Sequence, residues 1–210
     1  NTISDILLIF WKRSFSVFQI KRKFVNYRIL IMKLYIETER LLLREWTPND
    51  LPTFIKMNQD PEVMEFFPKI LDSKESIDFY QRICKEFDKV KYGLFAVERK
   101  SDHKFIGYTG LHKADFPANF TPCIEIGWRL IKDVWNQGYA TEAAKACLQY
   151  GFINLNIKEI YSFTAAINKR SERVMQKIGL QKIGEFDHPN IISENRLCRH
   201  VLYKSSFSEK

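Results

Sequence analysis

Four cysteines and four histidines are the thiolate and imidazole ligands that this 210-residue sequence offers a metal, and neither set is arranged to hold one. Cys84, Cys123, Cys147 and Cys198 contain no Cys-x-x-Cys pair and sit among apolar neighbours, so they read as reduced core thiols of a cytosolic protein. His103, His112, His188 and His200 lack metal-ligand spacing, and no metal is expected. Internal repeats and low-complexity tracts are missing. So is a hydrophobic run long enough to cross a bilayer, because the apolar stretch near the start is cut by Lys12-Arg13. No membrane partner is expected.

Acidic residues are scarce at the start: residues 1–31 hold six Lys/Arg against Asp5 alone, net +5 of the chain's +8, which leaves +3 for the rest. A body so mildly basic does not argue for DNA, and it suits an anionic small molecule. The basic, Ser-containing segment 1–31 matches an organellar transit peptide in composition, yet the chain does not begin with Met. The expectation is an N-terminal extension over 1–31 that is not part of the fold, followed by one domain over 32–210. With 45% apolar residues and 14% aromatics, that domain has material for a sizeable core.

From Met32 onward, strand-like and helix-like patterns alternate. "ETERLLLREW" (Glu37 to Trp46) predicts a strand, and Thr47-Pro48-Asn49-Asp50 starts a helix through Leu51, Phe54 and Met57. Asp60-Pro61 predicts a short helical turn, and Ser73 with Ser76 offers the cap of a longer helix carrying Ile77, Phe79, Tyr80, Ile83 and Phe87. "YGLFAVER" and "KFIGYTGLHK" predict a hairpin. "CIEIGWRLI" predicts a strand with Glu125, Gly127 and Arg129 on one face and Ile124, Ile126, Trp128 and Leu130 on the other. A helix over Ala140 to Leu155, a strand over Glu159 to Ala166, a helix over Lys169 to Gly179 and two closing strands complete an α+β pattern with a mixed sheet.

The stretch "VWNQGYATEAAKA" joins a strand to a helix through Gly138, with the small residue Ala140 two positions on. Such a turn exposes N–H groups that lack an intrahelical partner at the positive end of the helix dipole, which suits phosphate; a plain strand-to-helix connection is the other reading.

"IEIGWRLIKDVWNQGYATEAAKACLQYGF" followed by "IYSFTAAINKRSERVMQKIGL" resembles the cofactor-binding core of the GNAT acyltransferases, and in particular their RimJ/RimL-like branch. "IETERLLLREWTPNDL" and "FIGYTGL" carry the likeness further, so that it spans nearly all of 34–204. The resemblance implies a three-layer α/β/α arrangement around a mixed, mostly antiparallel sheet. It also implies acetyl-CoA as co-substrate and an amine as acceptor, either a protein N-terminus or a small molecule. Acetyl-CoA would lie where two neighbouring strands splay apart: its pyrophosphate on Gln137, Gly138, Tyr139, Ala140 and Thr141, its pantetheine along Trp128, Arg129 and Leu130, its arm against Asn168.

The broad family's Gln or Arg three residues before the glycine is Trp135 here, a place where the RimJ/RimL-like branch often has an aromatic, and the Tyr that many relatives use as general acid is replaced by Met175. Ser171 matches the serine this branch places near the cofactor sulfur. Glu125 is the candidate base, with a solvated strand carboxylate as the alternative. Tyr203 is a second candidate acid or a packing residue. Lys145 and Arg173 could pair with the ribose phosphate, and Glu45 and Trp46 could border the acceptor site. Acceptor loops would come from the first helices and from 115–122, with Lys56, Glu62, Glu65, Phe66, Phe67, Lys69, Asp115, Phe116 and Phe120 giving an amphipathic mouth.

Two further functions stay open: a GNAT-like CoA-binding sensor or scaffold without turnover, and an interaction protein whose basic residues 12–28 attach it to RNA, ribosome or membrane. Relatives occur as monomers and homodimers. A cytoplasmic location is expected.

Overall fold

Eight strands make one sheet in the computed structural model, which describes residues 33–90 and 92–207, so that the expectation for 1–31 lies outside the described residues. The strands are β1 (Leu34–Glu37), β2 (Leu41–Arg44), β3 (Leu94–Arg99), β4 (Lys104–Ala114), β5 (Cys123–Leu130), β6 (Glu159–Ala165), β7 (Gln181–Asp187) and β8 (Arg199–Ser206). Their order is β1-β2-β3-β4-β5-β6-β8-β7, and every neighbouring pair is antiparallel except β5 and β6. Helices α1 (Leu51–Gln59) and α2 (Ser73–Val90) cover one face; α3 (Tyr139–Ile153) and α4 (Lys169–Lys177) cover the other. The mixed sheet between two helical layers is the expected architecture.

On the α1/α2 face Trp46, Phe54, Phe79 and Tyr108 interlock, with Trp46 and Phe54 ring centres 5.0 Å apart at a near-perpendicular tilt. On the other face α3 lies close to the sheet at Gly151. A Cβ there would come within 2.7 Å of Ile160 Cδ1 and 2.8 Å of Leu111 Cδ1, so a larger residue would have to push these two methyl ends aside.

Two local readings are corrected. The predicted strand Glu37 to Trp46 is broken at Thr38–Arg40, where the chain turns from β1 into β2 and Thr38 N–H bonds to Leu41 O at 3.0 Å. The short helical turn expected after Asp60-Pro61 is present, closed by Met64 N–H to Asp60 O at 3.0 Å, and further turns follow, with Phe67 N–H bonded to Met64 O at 2.9 Å. The cap of α2 is Asp72 rather than Ser73 or Ser76. Asp72 Oδ1 accepts from Glu75 N–H at 2.8 Å while Glu75 Oε2 accepts from Asp72 N–H at 3.0 Å, a reciprocal box. Ser76 is buried and accepts from Asn58 Nδ2 at 3.2 Å.

The parallel pair is where the sheet opens. β5 and β6 share the single register position Glu125 to Tyr161, and Ser162 Oγ donates to Ile126 O at 2.9 Å just beyond it. Further along, β5 continues on β4 and β6 on β8 with no rung between them.

Candidate active site

A cavity of about 1140 Å³ occupies this split, with walls from both faces of the sheet. Of the residues assigned from sequence, Glu125, Trp128, Arg129, Leu130, Gly138, Tyr139, Ala140, Thr141, Asn168 and Ser171 line it. Gln137 does not: its Nε2 donates to Asp133 O at 3.0 Å, and its carbonyl accepts from Arg40 Nη1 at 3.0 Å.

The turn at one end is built on left-handed backbone. Asn136 (φ 59°) and Gly138 (φ 84°) bracket Gln137, and Gly138 precedes the first turn of α3. The first N–H groups of α3 have no partner within the helix, so the turn offers donors and a dipole to an anion. A clamp that is silent in local sequence holds it. Glu142 accepts from Thr38 Oγ1 at 2.6 Å, Arg40 N–H at 2.9 Å and Arg40 Nε at 2.6 Å, while the Arg40 guanidinium lies 4.4 Å from the Tyr139 ring centre. Burial pushes the Glu142 carboxyl up, but these donors outweigh it and hold the pKa below the usual carboxylate range.

Along the α4 wall, Asn168 caps the helix by accepting from Ser171 N–H at 3.2 Å, and its Nδ2 donates to Thr164 Oγ1 at 3.0 Å. The amide is thereby fixed in place. Ser171 is half-buried on the cavity wall in the first turn of α4. Lys169, Arg170, Arg173 and Lys177 line the same wall, with Arg170 stacked 4.4 Å from the Trp135 ring centre. Lys145 is exposed and outside the lining.

On the α1/α2 face the cavity is lined by ionisable groups. Glu125 is no solvated carboxylate: its Oε2 lies 3.1 Å from His112 Nε2, directly across the β4–β5 ladder. Burial pushes the His112 pKa down, but the charge and hydrogen bond of Glu125 and the charge of Glu86 outweigh it, and the net shift is upward. His112 Nδ1 is buried with no partner. Burial pushes the Glu86 carboxyl up and both His188 and His200 down; all three line the cavity. A smaller hollow of about 380 Å³, bordered by Asp115 and Phe116, adjoins it at His112 and Glu125.

Other candidates fall outside. Tyr203 is absent from the lining, 3% exposed, and its hydroxyl donates to Glu172 Oε1 at 3.0 Å, which makes it a packing residue. Trp46 is buried in the aromatic cluster, its Nε1 donating to Leu94 O at 2.5 Å, and Glu45 is exposed away from the cavity. Of the acceptor-mouth group, Glu62, Phe66 and Phe67 line the main cavity, whereas Lys56, Glu65, Lys69 and Phe120 line neither space. Sequence reasoning missed His112, His188, His200 and the Thr38–Arg40–Glu142 clamp. The cross-strand position of His112 opposite Glu125 was recoverable from the hairpin register; the clamp, spanning more than a hundred residues, was not.

The cysteines are all free, and no helix among the described residues is long and apolar enough to cross a membrane. No cluster of three or more metal-ligating side chains occurs among them.

Comparison with known proteins agrees with this geometry. The acetyltransferase (GNAT) domain family matches residues 40–181. The N-acetyltransferase YnaD of Bacillus subtilis, described as uncharacterized, is 31% identical over 153 residues, covering 73% of this chain and 86% of its own. The crystal structure of a GNAT-family acetyltransferase from Bacillus anthracis superimposes with a TM-score of 0.69 at 27% identity, covering 82% of this chain and 98% of that one. RimL, a ribosomal L7/L12 α-N-protein acetyltransferase solved with coenzyme A, shares the fold at a TM-score of 0.69 and 12% identity, covering 83% and 98%. With its sheet split between β5 and β6 and the α3 turn beside the opening, the chain belongs to the GNAT acetyltransferase family and is an acyltransferase.

Proposed function

We propose that the enzyme transfers an acetyl group from acetyl-CoA to a primary amine by direct attack within a ternary complex, in the manner of the RimJ/RimL-like branch and in the cytoplasm. The observation that carries this reading is the single-rung β5–β6 junction opening onto the unpartnered N–H groups of the α3 turn. The turn from Gly138 to Thr141 suits the pyrophosphate, the cationic wall of α4 the remaining phosphate, and the free edge of β5 from Trp128 to Leu130 the amide-bearing arm, which would add as a strand. Asn168, already fixed by its own hydrogen bonds, has one amide hydrogen left for that arm.

Acetyl-CoA supplies an activated acyl group on a thiol leaving group. Glu125, supported by His112, accepts the proton of the incoming ammonium; a backbone N–H of β5 near Trp128 or Arg129 stabilises the negative charge that develops on the carbonyl oxygen; Ser171 Oγ donates to the departing sulfur. No covalent enzyme intermediate is required. The acceptor is a protein N-terminus or a small amine, reached from the α1/α2 face. We also propose that residues 32–210 form the catalytic domain without 1–31.

Thermal unfolding with and without acetyl-CoA tests the cofactor half: a ligand at about 100 times its Kd adds about 2.7 kcal/mol. No shift at millimolar acetyl-CoA would refute it. Ser171→Ala tests the other half. An enzyme should lose most of its thiol release while keeping the shift, whereas a sensor domain would show the shift and no turnover in the unaltered chain.

A further inference from the structure

Arg129 is only 7% exposed and sits on β5 on the face toward α1 and α2. Its guanidinium carbon lies 3.8 Å from the centre of the Phe67 ring, 5.5 Å from that of Tyr108 and 5.9 Å from that of Phe79. Three π faces attract the cation, and Nη1 donates to Asn58 Oδ1 at 2.7 Å. Neither interaction supplies a negative charge. Among the described residues no carboxylate forms an ion pair with Arg129, and its Nε–H is buried with no hydrogen-bond partner. A buried donor left unmade is a standing cost, and a buried cation without a counterion is a larger one. Burial accordingly pushes the guanidinium pKa down.

Arg129 lines the same cavity as Glu125 and His112. Residues 125, 127 and 129 share one face of β5, so the acidic end and the cationic end are four residues apart, about 13 Å between Cα atoms at the usual strand rise. Between them Gly127 leaves the floor bare: a Cβ placed there would meet nothing within 4 Å. Arg82 of α2 lines the same cavity and has no ion pair among the described residues. The space is therefore negative where an amine must lose its proton and positive a short molecule's length away.

We propose that Arg129 receives a carboxylate carried by the acceptor, so that the amine acetylated by this enzyme is a compact amino acid-like molecule lying over Gly127 with its amino group toward Glu125. The Nε side of a guanidinium presents two parallel N–H groups that match the two oxygens of a carboxylate, and with Nη1 engaged by Asn58 this is the side whose Nε–H is left without a partner. One enclosed cation matches one negative charge, which favours carboxylate over a phosphate dianion. The proposal rests on the acetyl-transfer reading for the role of the amine, but not for the binding of the carboxylate.

The test uses the full chain with straight-chain amino acids of increasing length, their carboxamides and the corresponding aminoalkyl phosphates as acceptors. Thiol release gives kcat and KM, and calorimetric titration of the CoA-saturated protein gives affinity without turnover. At one chain length the acid should exceed its amide about 10- to 100-fold in kcat/KM, chiefly through KM, the range of one charge-assisted pair. Arg129→Met should erase that preference while thermal unfolding still reports acetyl-CoA binding. Asn58→Asp, which supplies an internal counterion with almost no change of shape, should erase it too and covers the case in which Arg129→Met fails to fold.

Equal use of acid and amide, an acid preference that survives both substitutions, or a preference for the phosphates would overturn the assignment. If no amine is turned over, the titration decides: carboxylate binding lost in Arg129→Met sustains the Arg129 site while acetyl transfer fails, and no carboxylate binding overturns it.

Discussion

Arg44 and Arg129 are both buried, at 4% and 7% exposure, and their surroundings could hardly differ more. Arg44 is neutralised from within: Nε meets Glu98 Oε2 at 2.6 Å, while Nη2 and Nη1 meet Asp50 Oδ1 and Oδ2 at 2.7 and 2.8 Å. Burial would lower its pKa, but the two carboxylates outweigh burial and the net shift is upward. Arg129 has rings and one amide oxygen around it, and its pKa moves the other way. A buried charge that the fold itself balances is part of the scaffold; one it leaves unbalanced faces the cavity. Arg44 ties β2 to β3 and to the turn before α1, outside the cavity lining.

The contrast can be broken by substitution, and the largest effect is expected at Arg44. Arg44→Met strands two carboxylates and should cost about 3–5 kcal/mol of stability in denaturant titration, whereas Arg129→Met, which strands no carboxylate and only the Asn58 amide oxygen, should cost clearly less. Similar losses at both sites would erase the distinction. Next comes Glu125→Gln, which keeps the shape and removes the base: kcat should fall about 10²-fold or more with acetyl-CoA affinity retained. A mere twofold change would return Glu125 to a structural role.

Glu142→Gln is a smaller test, because the Arg40 side of its pair is 40% exposed. Loss of its charged hydrogen bonds should cost about 1 kcal/mol and weaken acetyl-CoA severalfold by loosening the α3 turn, with kcat at saturation little altered. Since the Glu142 pKa is held down in the folded protein, that contribution is present above the usual carboxylate pKa and is lost as pH falls through the depressed one.

The smallest effect expected is at His112. Its folded pKa is raised by Glu125 and Glu86 against burial, so its stabilising contribution is complete below about pH 6.5 and fades as pH rises through the raised value. The stability difference between wild type and His112→Asn should shrink across that window. His188 and His200, both held down by burial, predict the opposite trend: His188→Asn should become relatively more stable as pH falls below about 6.5.

What the sequence disclosed follows the range of the interactions. The α3 turn was legible because Gly138 and the helix it opens are neighbours in the chain, and the α4 cap because Asn168 and Ser171 are three apart. The alternation of Glu125, Gly127 and Arg129 on one strand face was legible too. Its consequence was not: the residues that cover that face, Asn58 and Phe67, come from the segment around α1, some sixty to seventy positions earlier. The break at Thr38–Arg40 was hidden for the same reason, since its partner Glu142 lies on α3. Tyr203 looked equally available to chemistry or packing until Glu172 supplied its acceptor across the β8–α4 contact.

An open sheet of eight strands ordinarily has two edges, and this one, parted beyond a single rung, has four. The two inner edges carry unpaired backbone groups along the distal parts of β5 and β6, the kind of template to which a strand of another molecule can add. An occupant that pairs with β5 removes part of that template. Acetyl-CoA is therefore expected to act as a keeper of solubility as well as a reactant: refolding or storage without it should show more light scattering than with it, at equal protein concentration.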